Sequence, residues 1–319
     1  MKLLKSKKGL GEQFNWIFVV VAGGIILAFL VTFTFRYIDL QNKKANVEVG
    51  RTIDNNFRLL ETTEFSLPID LGTENKVEFF CLGDDQTVRV NSDYEQKVKD
   101  TIIFAPEITR GKQLAAWIYN WEYPYLVSRF LYVSGLDNKY LFVGTTPDLV
   151  EDIPSLFNIE KVSGISEAEV EDSVKTKFIY FEDPTADLKT LKDKYSKSNI
   201  VYIDQENKKV TFYEGGEDKG DRDYFGDAFL YGAIFAGDKS SYECALDRAI
   251  NKLKMVSKNY IYKTTYISNV DRRAECRYPL LKNYLDKFAS GNLEKGDENK
   301  DLLDETNKNL YGEGCPAVF

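Results

Sequence analysis

The chain has 319 residues, 43% of them hydrophobic and 29% charged, enough for one or two domains and too apolar for a disordered chain. It contains no histidine, which excludes Ser-His-Asp and Cys-His catalysis, histidine proton relays and histidine-ligated zinc. Lys and Arg number 42 against 50 Asp and Glu, a net charge of −8, which argues against a nucleic-acid partner because such binding rests on neutralising phosphates.

The first predicted element is a membrane span. From Phe14 to Phe35 the chain reads FNWIFVVVAGGIILAFLVTFTF, without a charge, between Glu12 and Arg36. As a helix it covers about 33 Å, against roughly 30 Å of hydrocarbon. It has no polar face, exceeds the apolar core of a cleaved signal peptide and is followed by no A-x-A-like site, so an uncleaved transmembrane helix over 14–35, with the lipid bilayer as partner, is expected. Lys2, Lys5, Lys7 and Lys8 precede it; Arg36, Lys43 and Lys44 follow it. This bias predicts a cytoplasmic N-terminus, in a basic leader over 1–13, with the bulk of the chain extracytoplasmic at the cell membrane. Residues 1–36 carry +4, leaving −12 on the remainder, which disfavours contact with anionic lipid.

Beyond the span, Ala45, Val49, Ile53, Phe57 and Leu60 recur at steps of four, four, four and three, predicting an amphipathic stalk helix over 36–62. Such a stripe packs on its own domain or on a second copy. Pro68 closes the pattern.

The leader ending in Lys7-Lys8-Gly9, followed by Glu12, the apolar span and a continuous amphipathic helix, resembles the class III signal and first helix of type IV pilin-like proteins. The resemblance covers about 50 residues and implies peptidase cleavage between Gly9 and Leu10 and packing of the apolar helix in a filament. It departs from the usual patterns in placing Glu12 third after the glycine and Leu10 directly after it. The leader with GEQFNWIF also resembles uncharacterised single-span archaeal membrane proteins, which implies no activity.

An α/β head with a mixed sheet is predicted over 63–236. Its strand candidates are 77–81, 101–106, 130–134, 139–145, 177–181, 199–203, 209–214 and the apolar run FLYGAIF at 229–235. Asp183-Pro184 opens a helix with Leu188 and Leu191 inward, and 199–214 reads as a hairpin. A helical hairpin packed on the head is expected over 237–290. Its first helix starts at a Ser240/Glu243 capping box and buries Leu246, Ala249, Leu253, Val256 and Tyr260; its second carries Leu280, Tyr284 and Phe288. Residues 291–319 read as a polar, loosely held tail.

Cys81, Cys244, Cys276 and Cys315 form no C-x-x-C motif and suit two disulfides in an oxidising compartment. With a hairpin turn near Lys258 to Tyr260 the favoured pairs are Cys244 with Cys276 and Cys81 with Cys315. A turn nearer Asn269 removes the basis for the first pair.

Trp117, Tyr119, Trp121, Tyr123 and Tyr125 recur at period two, so an extended segment would align them on one face. Such a row either stacks on a glycan or buries apolar area under a sheet. Asp218, Asp221, Asp223 and Asp227 offer oxygen ligands without the EF-hand alternation and read as a solvated loop; no metal and no cofactor are assigned. Glu107, Glu122, Asp183 and Asp204 are the acids nearest strand ends or the aromatic row. No G-x-S-x-G, Walker A or G-x-G-x-x-G string occurs. The sequence therefore reads as a non-catalytic, membrane-anchored envelope protein that binds or assembles with surface partners. The alternatives are a pilin-like filament subunit and a carboxylate-dependent hydrolase of cell-surface glycans, with two carboxyl groups beside Trp117 or Trp121.

Overall fold

The computed structural model describes residues 8–63, 65–83, 85–98, 101–170, 175–195, 198–271, 273, 276–293 and 296–319. The chain divides into two compact units, residues 1–49 and 50–319. Helix α1, Lys8–Thr63, runs through both. From Trp16 through the predicted span its large apolar side chains are open to their surroundings: Trp16 is 74% exposed, Phe18 72% and Phe29 69%. A helix this long and apolar is able to cross a bilayer, as expected for 14–35.

The second unit is α/β, as the sequence predicts, with two mixed six-stranded sheets. The first has the order β3-β2-β1-β5-β6-β4 and the second β12-β11-β10-β9-β7-β8. The strands of the first are β1 (Ser66–Leu82), β2 (Asp85–Val90), β3 (Tyr94–Val98), β4 (Ile102–Phe104), β5 (Ile108–Glu122) and β6 (Leu126–Gly135). All pair antiparallel except β4 with β6. The second sheet comprises β7 (Asn138–Val143), β8 (Asn158–Val162), β9 (Lys175–Tyr180), β10 (Asn199–Asp204), β11 (Lys209–Glu214) and β12 (Glu217–Asp223). Strands β8, β7, β9 and β10 run parallel, and the predicted 199–214 hairpin closes antiparallel, Asn199 opposite Glu214.

The last turns of α1 belong to this unit. Ile53, Phe57 and Leu60 are buried, while Ala45, at the start of the predicted stripe, is exposed. Gln96 Nε2 donates to Asp54 Oδ1 at 2.8 Å, fixing the helix end on β3. The far face of the second sheet buries Leu141, Phe178 and Ile200 against α2 (Leu188–Lys194), whose Leu191 points inward as predicted.

The run 229–235 is not a strand. It forms α3, Asp227–Phe235, with residues 228–235 all buried. A short apolar run has no period to separate the two choices, and here burial on every side made helix and strand look alike. Gly232 explains the fit: a Cβ there would stand 2.6 Å from the Phe104 ring of the first sheet. Around α3 the inner faces of both sheets share one core that includes Phe104, Trp121, Phe142 and Val201.

Helix α4, Lys239–Val270, is capped by Asp238 with Ser241, two residues before the predicted Ser240 box, since Asp238 accepts from Ser241 N at 2.7 Å. Leu246, Ala249 and Leu253 are buried as expected. In α5, Tyr278–Ser290, the inward residues are Leu281, Leu285 and Phe288, one register from the predicted Leu280 and Tyr284. The expected loose tail is helix α6, Gly296–Gly312, with Leu303 and Leu310 buried. Its end is tied down: Asn307 Oδ1 accepts from Val318 N at 2.8 Å and Lys263 donates to Val318 O at 2.5 Å. Polar composition hid this helix because its apolar face is only a few residues wide.

The disulfides are Cys81–Cys244 and Cys276–Cys315, with Cα separations of 6.5 and 5.8 Å, correcting the favoured pairing. Helix α4 runs unbroken for 32 residues. At 1.5 Å per residue it carries Cys244 roughly 40 Å from the turn that holds Cys276. Cys244 instead meets β1, and Cys276 meets the end of the chain.

Candidate functional site

The five aromatic residues lie along and just beyond β5, which is extended, yet they do not make a platform. Trp117, Trp121, Tyr123 and Tyr125 are buried, and Trp121 is only 1% exposed. Their faces are occupied by other rings: Trp117 meets Tyr132 at 5.0 Å and Tyr231 at 4.9 Å, and Trp121 meets Phe130 at 5.4 Å and Phe229 at 5.0 Å. Their polar atoms are partnered inside the protein. Trp121 Nε1 donates to Phe225 O at 3.0 Å, Tyr123 OH to Asp297 at 2.9 Å, and the Tyr125 hydroxyl lies 2.6 Å from Ser257 Oγ. The glycan-platform reading of Trp117, Tyr119, Trp121 and Tyr123 is thereby corrected. These rings have more to gain by filling the space between this segment and the helices packed on it than by facing water.

What remains accessible is a cleft of about 880 Å³ at the end of β5, bounded by the first turns of α3 and α6. Half-buried Tyr119 stands in its wall, and the lining also includes Glu122, Asp152, Asp227, Asp297 and Asp301 with Lys208 and Lys300. Lys208 pairs with Asp297 at 2.7 Å. Asp227 and Asp297 sit in first helical turns, where the backbone dipole favours a carboxylate. Five carboxylates against two ammoniums leave the cleft negative. Burial, followed by Asp227, Asp152 and Glu122, pushes the Tyr119 hydroxyl above its ordinary value, so it stays a donor at neutral pH. Tyr231 is raised by burial and Asp152, and its hydroxyl donates to Leu149 O at 2.9 Å. Chemically the cleft offers acceptors and aromatic edges, which suits a cationic or hydroxyl-rich ligand.

Of the four acids marked in the sequence only Glu122 lines this cleft. Asp183 caps a turn by accepting from Thr185 N at 2.9 Å, and Asp204 holds the hairpin turn through Asn207 N at 2.9 Å; these bonds lower both carboxyl groups. Asp152 and Asp297 carry no local signal, and Asp227 groups in sequence with its own neighbours, since the three come from segments about 70 residues apart that meet only in the fold. Asp218, Asp221 and Asp223 are spread along β12, with Asp221 paired to Lys209, while Asp227 faces the cleft. Among the described residues no group of three or more His, Cys, Asp or Glu is placed to hold a metal ion.

A second cleft, of about 780 Å³, opens between Pro106–Glu107–Ile108 and the first residues of β7, β9 and β10. Glu107 lines it, and so does Lys177, 8% exposed, a residue that sequence reasoning passed over. The one available sign was a lysine opening an otherwise apolar strand run. The Gly9–Leu10 step lies in the first turn of α1, and the leader before Lys8 lies outside the described residues. Comparison with protein-family models, curated proteins and solved structures finds no match.

Proposed function

We propose that the chain is a single-pass protein of the cell membrane whose disulfide-bonded unit faces the extracytoplasmic side and binds a ligand or envelope partner, the cleft beside Tyr119 being its binding site. The observation that carries this reading is the pairing of two opposites in one chain: a helix whose apolar side chains are open to their surroundings, and a unit cross-linked by Cys81–Cys244 and Cys276–Cys315. Uncovered apolar side chains at this density call for lipid. Disulfides persist on the oxidising side of a membrane. The negative, partly aromatic cleft gives the unit something to bind with, and the absence of histidine and of nucleophile motifs favours binding over catalysis.

The test is the intact mass of the protein extracted from its native membrane and alkylated without and then with reduction. No alkylation before reduction and four after it are expected. Four before reduction overturns the sidedness. The same mass reads whether residues 1–9 have been removed, which would move the assignment to the pilin-like filament subunit.

A further inference from the structure

We propose that the second cleft takes a small aldehyde or ketone and that the side-chain amine of Lys177 captures it as an imine. Register places Tyr140, Lys177 and Asn199 side by side on neighbouring strands, facing α3. Lys177 Nζ donates to Ala233 O at 2.8 Å and Ala236 O at 2.5 Å, the last carbonyls of α3, and stands 5.9 Å from the centre of the Phe212 ring. Capping a helix end explains the two bonds. It does not explain a ligand-sized space beside the amine.

That space has apolar walls in Tyr140 and Phe235. Gly237 keeps the entrance narrow, because a Cβ there would stand 2.6 Å from Glu107 N. Around the cleft stand three acids, Glu107, Glu214 and Asp238, and, besides Lys177, two lysines, Lys139 and Lys175, which suits an uncharged carbonyl compound.

The chemistry needs no other reactant. The lone pair of the neutral amine attacks the carbonyl carbon, the C=O π bond breaks, and a carbinolamine forms. Its oxygen then leaves as water, carrying the two protons that the amine held, and a C=N bond remains; nothing is oxidised or reduced. The amine must be neutral for this. Burial lowers Lys177 from 10.5 to about 7, against a smaller opposing pull from Asp238, so a large share is unprotonated at neutral pH.

The experiment uses the full-length protein in detergent at pH 7.5 with formaldehyde, and separately with glyceraldehyde, each in the presence of cyanoborohydride to reduce the imine, followed by peptide mass mapping at early times. Lys177 is expected to be modified by both probes at least about ten-fold faster than the exposed Lys112 and Lys189. Lys177→Met removes the amine and should lose that label. Labelling of Lys177 no faster than of Lys112 and Lys189 overturns the proposal. So does labelling by formaldehyde alone, since a site for a carbonyl ligand must admit the larger probe. Because the decisive readout is on the unsubstituted chain, a variant that fails to fold does not blunt it.

Discussion

Two aromatic-rich stretches of this chain meet opposite fates. In residues 16–35 the rings are exposed, Trp16 being 74% so; along β5 they point inward, Trp121 being 1% exposed. Hydrophobicity alone does not separate them. The difference is length and period: 22 apolar residues without interruption make a helix with no polar side, while aromatics at every second position make a strand with one buried face. The first stretch has no protein core to enter. The second has α3 to α6 packed on it, and its rings and their polar atoms find partners there and at Phe225 O.

The largest expected effects come from the cross-links, which belong to the second unit only. Replacing Cys81 and Cys244 by serine frees a loop of sequence separation 163 and should cost about 5 kcal/mol on the chain-entropy estimate; the same change at Cys276 and Cys315, separation 39, about 4 kcal/mol. Denaturant unfolding followed by tyrosine and tryptophan fluorescence reads both. Equal, negligible losses would mean that the unit does not depend on its staples.

Trp121→Ala should lower the stability of the same unit by about 3 to 5 kcal/mol, through a lost ring and an orphaned Phe225 carbonyl. Trp16→Ala should leave its unfolding midpoint unchanged and alter only partitioning into membranes. If the two substitutions behave alike, the contrast between the stretches fails.

A smaller effect isolates Lys177. Its folded value, lowered to about 7, lies below the 10.5 of the unfolded chain, so between those limits the unfolded state holds the proton and stability rises with pH. The rise is at most about 1.4 kcal/mol per pH unit. It should show as an increasing denaturant midpoint from pH 7 to 9 and vanish in Lys177→Met. Above pH 10 the buried tyrosines act the other way, because burial raises Tyr132 and Tyr242 above their unfolded value and stability falls as the unfolded chain ionises.

Much of the fold was legible. Seven of the eight apolar runs became strands, and the Asp183-Pro184 helix start, the 199–214 hairpin and the inward stripe of α4 lie where spacing put them. The misses have separate causes. FLYGAIF, buried on all sides, has no polar face to betray its period. Strands β2, β3 and β12 sit at or beside sheet edges and are too polar to stand out. Helix α6 needs only Leu303 and Leu310 to dock. For the candidate sites the sequence offered residue types without neighbours: it marked the aromatic row, Glu122 and, in a different grouping, Asp227, but not Asp152, Asp297 or Lys177.

By itself the sequence determined what local chemistry can determine. It set a span long and apolar enough for a bilayer, an α/β alternation, and a chain without histidine chemistry. The tertiary structure decided which cysteines meet, because that depends on how far α4 runs before it turns. It decided that four of the five rings are core, because α3 covers Trp117 and Trp121 while α4, α5 and α6 cover Tyr123 and Tyr125. It also gathered five carboxylates into one cleft and one lysine into another. Those groupings depend on contacts between segments far apart in the chain, and no spacing within a segment encodes them.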